Sequence, residues 1–129
     1  MPLRLTLRPH EKVFLGGAVI VNGDARTELT LLNDVAVLRQ SDILNESTAD
    51  TPCKRLYLLV QLMYMDTPNL ADYHAKFWSH AQTVVNEIEG AEELVGAIGQ
   101  EVALGNYYRG LKIGKKLIAT EEEFAQNGQ

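Results

Sequence analysis

Leu3, Leu5 and Leu7 alternate with Arg4, Thr6 and Arg8 at the start of the chain. Period two places the leucines on one face and the arginines on the other. This predicts a half-buried strand that Pro9 ends by removing an N–H donor. Val13-Phe14-Leu15 opens a second strand, and Gly16-Gly17 supplies the positive φ of a tight turn. Ala18 to Val21 is a third apolar run, closed by Asn22-Gly23-Asp24, which is turn chemistry. Residues 26–32 alternate again, with Thr27, Leu29 and Leu31 opposite Glu28, Thr30 and Leu32. Val35 to Leu38 predicts a fifth short strand. Ser41 or Asp42 then offers an N-cap for a brief helical turn through Leu44.

After this point the period changes. Residues 45–52, NESTADTP, are polar and turn-rich and read as a connector. Thr51 followed by Pro52 is a helix start. Residues 55–65 are apolar almost all round, as in a buried central helix, although so short a run also admits a strand. Thr67-Pro68 repeats the start signal. Leu70, Tyr73, Phe77, Ala81, Val84 and Ile88 keep a 3.6 period until Gly90. Leu94, Val95, Ile98 and Val102 mark a third helix. Tyr107, Tyr108, Leu111 and Ile118 mark a fourth, with Lys112, Lys115 and Lys116 near its expected end, where cations suit the helix dipole. The tail EEEFAQNGQ is expected to fray. The predicted fold class is α+β: a small antiparallel β unit over residues 1–46, then a helical unit of about four helices over 47–129.

Composition narrows the function. Hydrophobic residues make up 46% of the 129 and charged residues 22%, which is ordinary for a globular chain. No run of about 18 apolar residues occurs, so no membrane span is expected, and the N-terminus lacks a secretory pattern. One cysteine, Cys53, forms no internal disulfide and fits a reducing cytoplasm. The net charge of −5 argues against broad nucleic-acid binding. The deficit is uneven, however. Residues 1–55 carry seven basic and seven acidic groups, while residues 56–129 carry five and ten. The first half is therefore the less repulsive place for RNA.

No catalytic or metal constellation emerges. His74 and His80 are six apart and share no helix face, and no nucleotide-binding or hydrolase motif is present, so no cofactor, metal or enzyme activity is expected. Gly110 and Gly114, four apart, suit close helix packing, and Gly96 and Gly99 suit the same one helix earlier. Tyr107 and Tyr108 point about 100° apart on a helix, which favours core anchoring over a stacking platform. Trp78, beside Phe77, is expected in the core. Arg4, Arg8 and Arg39 are the candidate chemistry, because an arginine at a strand end reads guanine O6/N7 or grips phosphate. Spacing alone favours a solvated face with ion pairs to Glu11, Glu28 or Asp42.

Leu3-Arg4-Leu5-Thr6-Leu7-Arg8 and Val35-Ala36-Val37-Leu38-Arg39 resemble the first and fifth strands of the carbon-storage regulator (CsrA) family. That family is an interlocked dimer that binds messenger RNA leaders. Arg39 falls where the family has its principal RNA-binding arginine, and Arg8 on one of two strand-one arginines. Leu7 and Leu38 stand where it has an arginine and a histidine. The resemblance implies an RNA surface of Arg4, Thr6, Arg8, Val37, Leu38 and Arg39. Five short strands leave unpaired edges that either a second copy or the chain's own helices can cover. The expectation is a homodimer, as in that family, in which Arg4 and Arg8 of one chain approach Arg39 of the other.

Over nearly its full length the chain resembles the FlbT family, through MPLRLTLRP, GGAVIVNGD, VLRQSDIL, TPCKRLYLLVQLMYMD and NYYRGLKIGKKLIATEEE. This second resemblance implies a cytoplasmic, post-transcriptional regulator that binds the 5′ leader of flagellin mRNA. The alternative it leaves is a protein-binding adaptor for flagellin or the flagellar protein FlaF.

Overall fold

Alternation over Leu3–Leu7 becomes strand β1, with Leu5 and Leu7 buried and Leu3 left 46% exposed. In the computed structural model, which describes residues 2–127, four more strands follow: β2 (Lys12–Leu15), β3 (Ala18–Val21), β4 (Thr27–Leu31) and β5 (Val37–Arg39). They form two antiparallel sheets. β1 pairs with β4, placing Leu5 opposite Leu29, and β2 pairs with both β3 and β5, placing Phe14 between Val19 and Leu38. Leu5, Leu7, Val13, Phe14 and Leu38 make the buried apolar set of this first unit, which ends at Ile43.

Turn chemistry acts largely as expected. Gly16 (φ 55) and Gly17 (φ 98) join β2 to β3 as a two-residue hairpin loop that needs positive φ twice. Between β1 and β2, Pro9 and His10 occupy the two central positions of a turn closed by Glu11 N–H on the Arg8 carbonyl. His10 takes φ 63 there, a value usually left to glycine. Asn22 does more than turn the chain. Its amide donates to the carbonyls of Arg8 and Ala25, and its carbonyl accepts from Thr27 Oγ1.

Two boundaries differ from expectation here. β5 begins at Val37 rather than Val35. The helical turn is a 3-10 turn, Gln40–Asp42, with Arg39 at the cap position and no side-chain cap from Ser41 or Asp42.

The second unit begins at Leu44 and holds four helices: α1 (Pro52–Met65), α2 (Leu70–Glu87), α3 (Glu92–Ala103) and α4 (Tyr107–Asn127). Helix α1 packs against α2 and α4, and α3 packs against α4. Thr51 caps α1 by accepting from Lys54 N–H, with Pro52 at the first turn. Phe77, Ala81 and Val84 form the buried stripe of α2, and Val95, Ile98 and Val102 that of α3. A Cβ on Gly110 would lie 3.2 Å from Val60 Cγ1, and one on Gly114 3.0 Å from Tyr57 Cδ2. Both glycines therefore let α4 approach α1 closely. Buried Gln61 is satisfied twice over, accepting from Leu44 N–H (2.8 Å) and donating to Leu44 C=O (2.9 Å).

Several expectations fail in this unit. Thr67 caps no helix: residues Thr67–Asn69 are a 3-10 turn, and neither that turn nor α2 has a side-chain cap. The nearby Asp66 carboxylate instead accepts from Tyr73 Oη and Asn69 Nδ2, which hold its pKa below the usual value. Trp78 is 49% exposed and lies over Gly99, whose Cβ would meet its ring at 3.1 Å. Gly96 makes no such contact. Tyr108 is 46% exposed rather than a core anchor.

The expected fraying fails for residues 121–127, which continue α4, while 128 and 129 lie outside the described residues. Glu121 explains the continuation. Its carboxylate is buried and accepts from Thr51 Oγ1 and Cys53 N–H, so α4 caps the N-terminus of α1.

Candidate nucleic-acid interface

Arg39 is the best-fixed of the candidate residues. It closes β5 opposite Val13, and its Nη1 donates to the Thr6 carbonyl (3.1 Å) and to Glu11 Oε2 (3.0 Å). Glu11, one of the three carboxylates that spacing offered, is therefore its ion-pair partner. The Glu11 side chain is only 8% exposed, against 34% for Arg39. Its other oxygen accepts from Arg8 N–H at 2.9 Å. The Arg8 amide and the Arg39 guanidinium together hold the Glu11 pKa below its usual value. Among the described residues, none engages Nε or Nη2 of Arg39. Those two nitrogens share one edge of the planar group, the edge that forms a two-pronged contact with phosphate or guanine.

The remaining candidates are placed differently. Arg8 lines an open cleft of about 540 Å³ with Pro9, Glu11, Gln40 and Ser41. Arg4 is exposed on β1 opposite Thr30 and lies outside that cleft. Thr6 contributes its carbonyl to Arg39, and Val37 is half-buried. Leu38 is 2% exposed, so its side chain belongs to the core. Strands one and five meet within a single chain, through the Arg39–Thr6 bond, where the resemblance implied a meeting across two chains.

Sequence reasoning did not find Gln40 and Ser41 as cleft residues, nor Asn22 as the group that ties Arg8 to the β3–β4 loop. Nothing in their spacing marks them.

Cys53, His74 and His80 make structural contacts. Cys53 is fully buried, and burial together with the Glu121 carboxylate pushes its thiol up to about 12, so it stays protonated. His80 donates to the Pro52 carbonyl at 2.8 Å, and His74 bonds the Tyr107 hydroxyl at 3.0 Å. Among the described residues no cluster of His, Cys, Asp and Glu can hold a metal ion, and no helix is long and apolar enough to cross a membrane.

The family model "Flagellar protein FlbT" matches residues 3–125. The chain belongs to the FlbT family. It is 38% identical to the probable flagellum biosynthesis repressor protein FlbT 1 of Bradyrhizobium diazoefficiens, covering 95% of this chain and 84% of that one. Identity to the probable flagellum biosynthesis repressor protein FlbT of Rhodopseudomonas palustris is also 38%, over 95% and 97%. The flagellum biosynthesis repressor protein FlbT of Caulobacter vibrioides is 35% identical, over 95% and 89%. No solved structure matches the chain.

Proposed function

We propose that this protein regulates flagellum biosynthesis after transcription, its β unit binding the 5′ leader of flagellin mRNA and altering translation or decay. Relatives that align over nearly the whole chain carry the name of flagellum biosynthesis repressors. The observation that carries the RNA reading is Arg39. One nitrogen is tethered to Thr6 and Glu11, the edge formed by Nε and Nη2 has no partner among the described residues, and the same Glu11 accepts from the N–H of exposed Arg8. A pre-positioned fork of that kind loses little side-chain freedom on binding.

Arg39→Ala is expected to weaken leader binding by about 1–3 kcal/mol, the range for a two-pronged base contact. Titration of the leader RNA with both proteins, each shown folded by thermal melting, checks this. Equal affinity removes the site.

In this reading the protein acts as a homodimer. Among the described residues β3 pairs only with β2, and it exposes Val19 (72%) and Val21 (57%). An apolar edge strand is a template for a second chain. Light scattering at low micromolar concentration is expected to give twice the 14.3 kDa chain mass, and the single-chain mass rejects the dimer.

A groove of about 660 Å³ along α1 and α2, floored by Leu58, Leu59 and Ala75, favours a second reading, a protein-binding adaptor for flagellin or FlaF. Crosslinking in cells separates the two: the leader recovered with the protein supports the first, protein partners without RNA the second.

A further inference from the structure

We propose that the exposed face of α4 formed by Tyr108, Arg109, Lys112, Lys115 and Lys116 is a second contact surface for single-stranded RNA. The proposal rests on the RNA reading above but concerns the helical unit alone.

The basic groups of the helical unit are clustered. Residues 56–129 carry five basic groups, and four of them fall within residues 109–116. No carboxylate occurs between Glu101 and Glu121. At 100° per residue the five side chains cover an arc of roughly 120°. All five residues are exposed, and Gly110, Leu111, Gly114 and Leu117 on the other side are buried. Arg109, Lys112 and Lys116 form no ion pair with the described residues.

Helix stability does not account for the pattern. Cations favour the C-terminal end of a helix and anions the N-terminal end. Because α4 runs on to Asn127, the cations occupy its N-terminal half, while Glu121, Glu122 and Glu123 follow toward its C-terminus. Lys112 and Lys116, four apart, also repel each other on one face. Only Arg109 falls in the first turn, where the dipole disfavours a cation, while Lys112, Lys115 and Lys116 lie in the helix interior, where the dipole gives them no support. An external polyanion is the better explanation.

The aromatic groups select the kind of polyanion. Tyr108 is 46% exposed, with the Tyr64 ring 5.8 Å away at 44° and Lys112 Nζ 5.5 Å from its own ring centroid. An exposed ring set among cations is the platform on which unpaired bases stack while phosphates pair alongside. An anionic lipid surface fits less well, since it needs an apolar face as well as a basic one. Here Leu111 and Leu117 are buried in the helical unit.

The test uses the full chain and the flagellin leader RNA, titrated across a range of salt. Lys112→Gln/Lys116→Gln is expected to weaken binding and to reduce the slope of log affinity against log salt by about 1.4, that is, about 0.7 for each phosphate that a lysine no longer neutralises. Tyr108→Leu is expected to weaken binding about fivefold or more with the slope unchanged, as when one base no longer stacks. Both variants should keep the wild-type Tm, because the positions are exposed.

Wild-type affinity and slope in both variants overturn the proposal and leave a solvated face. If Arg39→Ala alone weakens binding, this site falls and the β-unit site stands; if the α4 variants alone weaken it, the reverse holds. A wild-type chain that binds no RNA removes both. Weaker binding to phosphatidylserine vesicles by the lysine variant, with RNA affinity unchanged, assigns the face to membrane instead and also overturns the proposal.

Discussion

The two units of this chain reach stability by different means. The β unit buries a small apolar set, Leu5, Leu7, Val13, Phe14 and Leu38, and relies on directional polar contacts to set its geometry. Asn22 joins two loops, and Glu11 joins a turn to a strand end. The helical unit rests on apolar volume: Leu56, Met63, Phe77, Val84 and Leu117 are all 0% exposed. Its contacts of Gln61 on Leu44 and Glu121 on Cys53 satisfy backbone groups that burial would otherwise leave unpaired. In the small unit the ion pair of Arg39 with Glu11 ties a strand end to a turn. The larger unit carries Arg109, Lys112 and Lys116 exposed and without ion pairs among the described residues, and its core does not depend on them.

The reliance of the helical unit on apolar volume is greatest at Phe77. Phe77→Ala should destabilise the helical unit by about 3–5 kcal/mol, the cost of an unfilled aromatic site in a core. Urea unfolding followed by Trp78 fluorescence measures it, and a loss below about 1 kcal/mol would mean the α2 stripe is not core. Glu121→Ala should cost about 1–3 kcal/mol, since it strands the buried Cys53 N–H. The same unfolding experiment reads it, with hydrogen exchange expected to quicken first at the start of α1. No change there would leave the cap without energetic weight.

The smallest effect separates the units by pH. The Glu11 pKa is lowered in the fold from the usual 4.5, by the Arg8 N–H and by Arg39. Its contribution is complete above the unfolded-state value and is lost as pH falls through the lower folded value. Amide NMR below pH 4.5 should show β2 and β5 loosening in the wild type more than in Glu11→Gln. Parallel behaviour of the two proteins would remove Glu11 from the account.

Periodicity and turn chemistry alone determined the order of elements. Alternation in Leu3–Leu7 and Thr27–Leu31, the Gly16-Gly17 turn, the Thr51-Pro52 start and the 3.6 stripe of α2 are local signals, legible because each depends on neighbours within a few residues. The candidate arginines were legible too, as residue types at strand ends. What they touch was not. Arg39 meets Thr6, 33 positions away, and Glu121 meets Cys53, 68 away. Contacts so distant leave no trace in spacing. The same distance explains why α4 outlasted its expected end: seven residues that look like a polar tail stay helical because one carboxylate among them is buried against another helix. The course of α4 in turn decides how its lysines are read. In a helix ending near Lys116 they would serve the dipole, but in one that runs to Asn127 they lie mid-helix and gain nothing from it, and only the tertiary structure distinguishes the two.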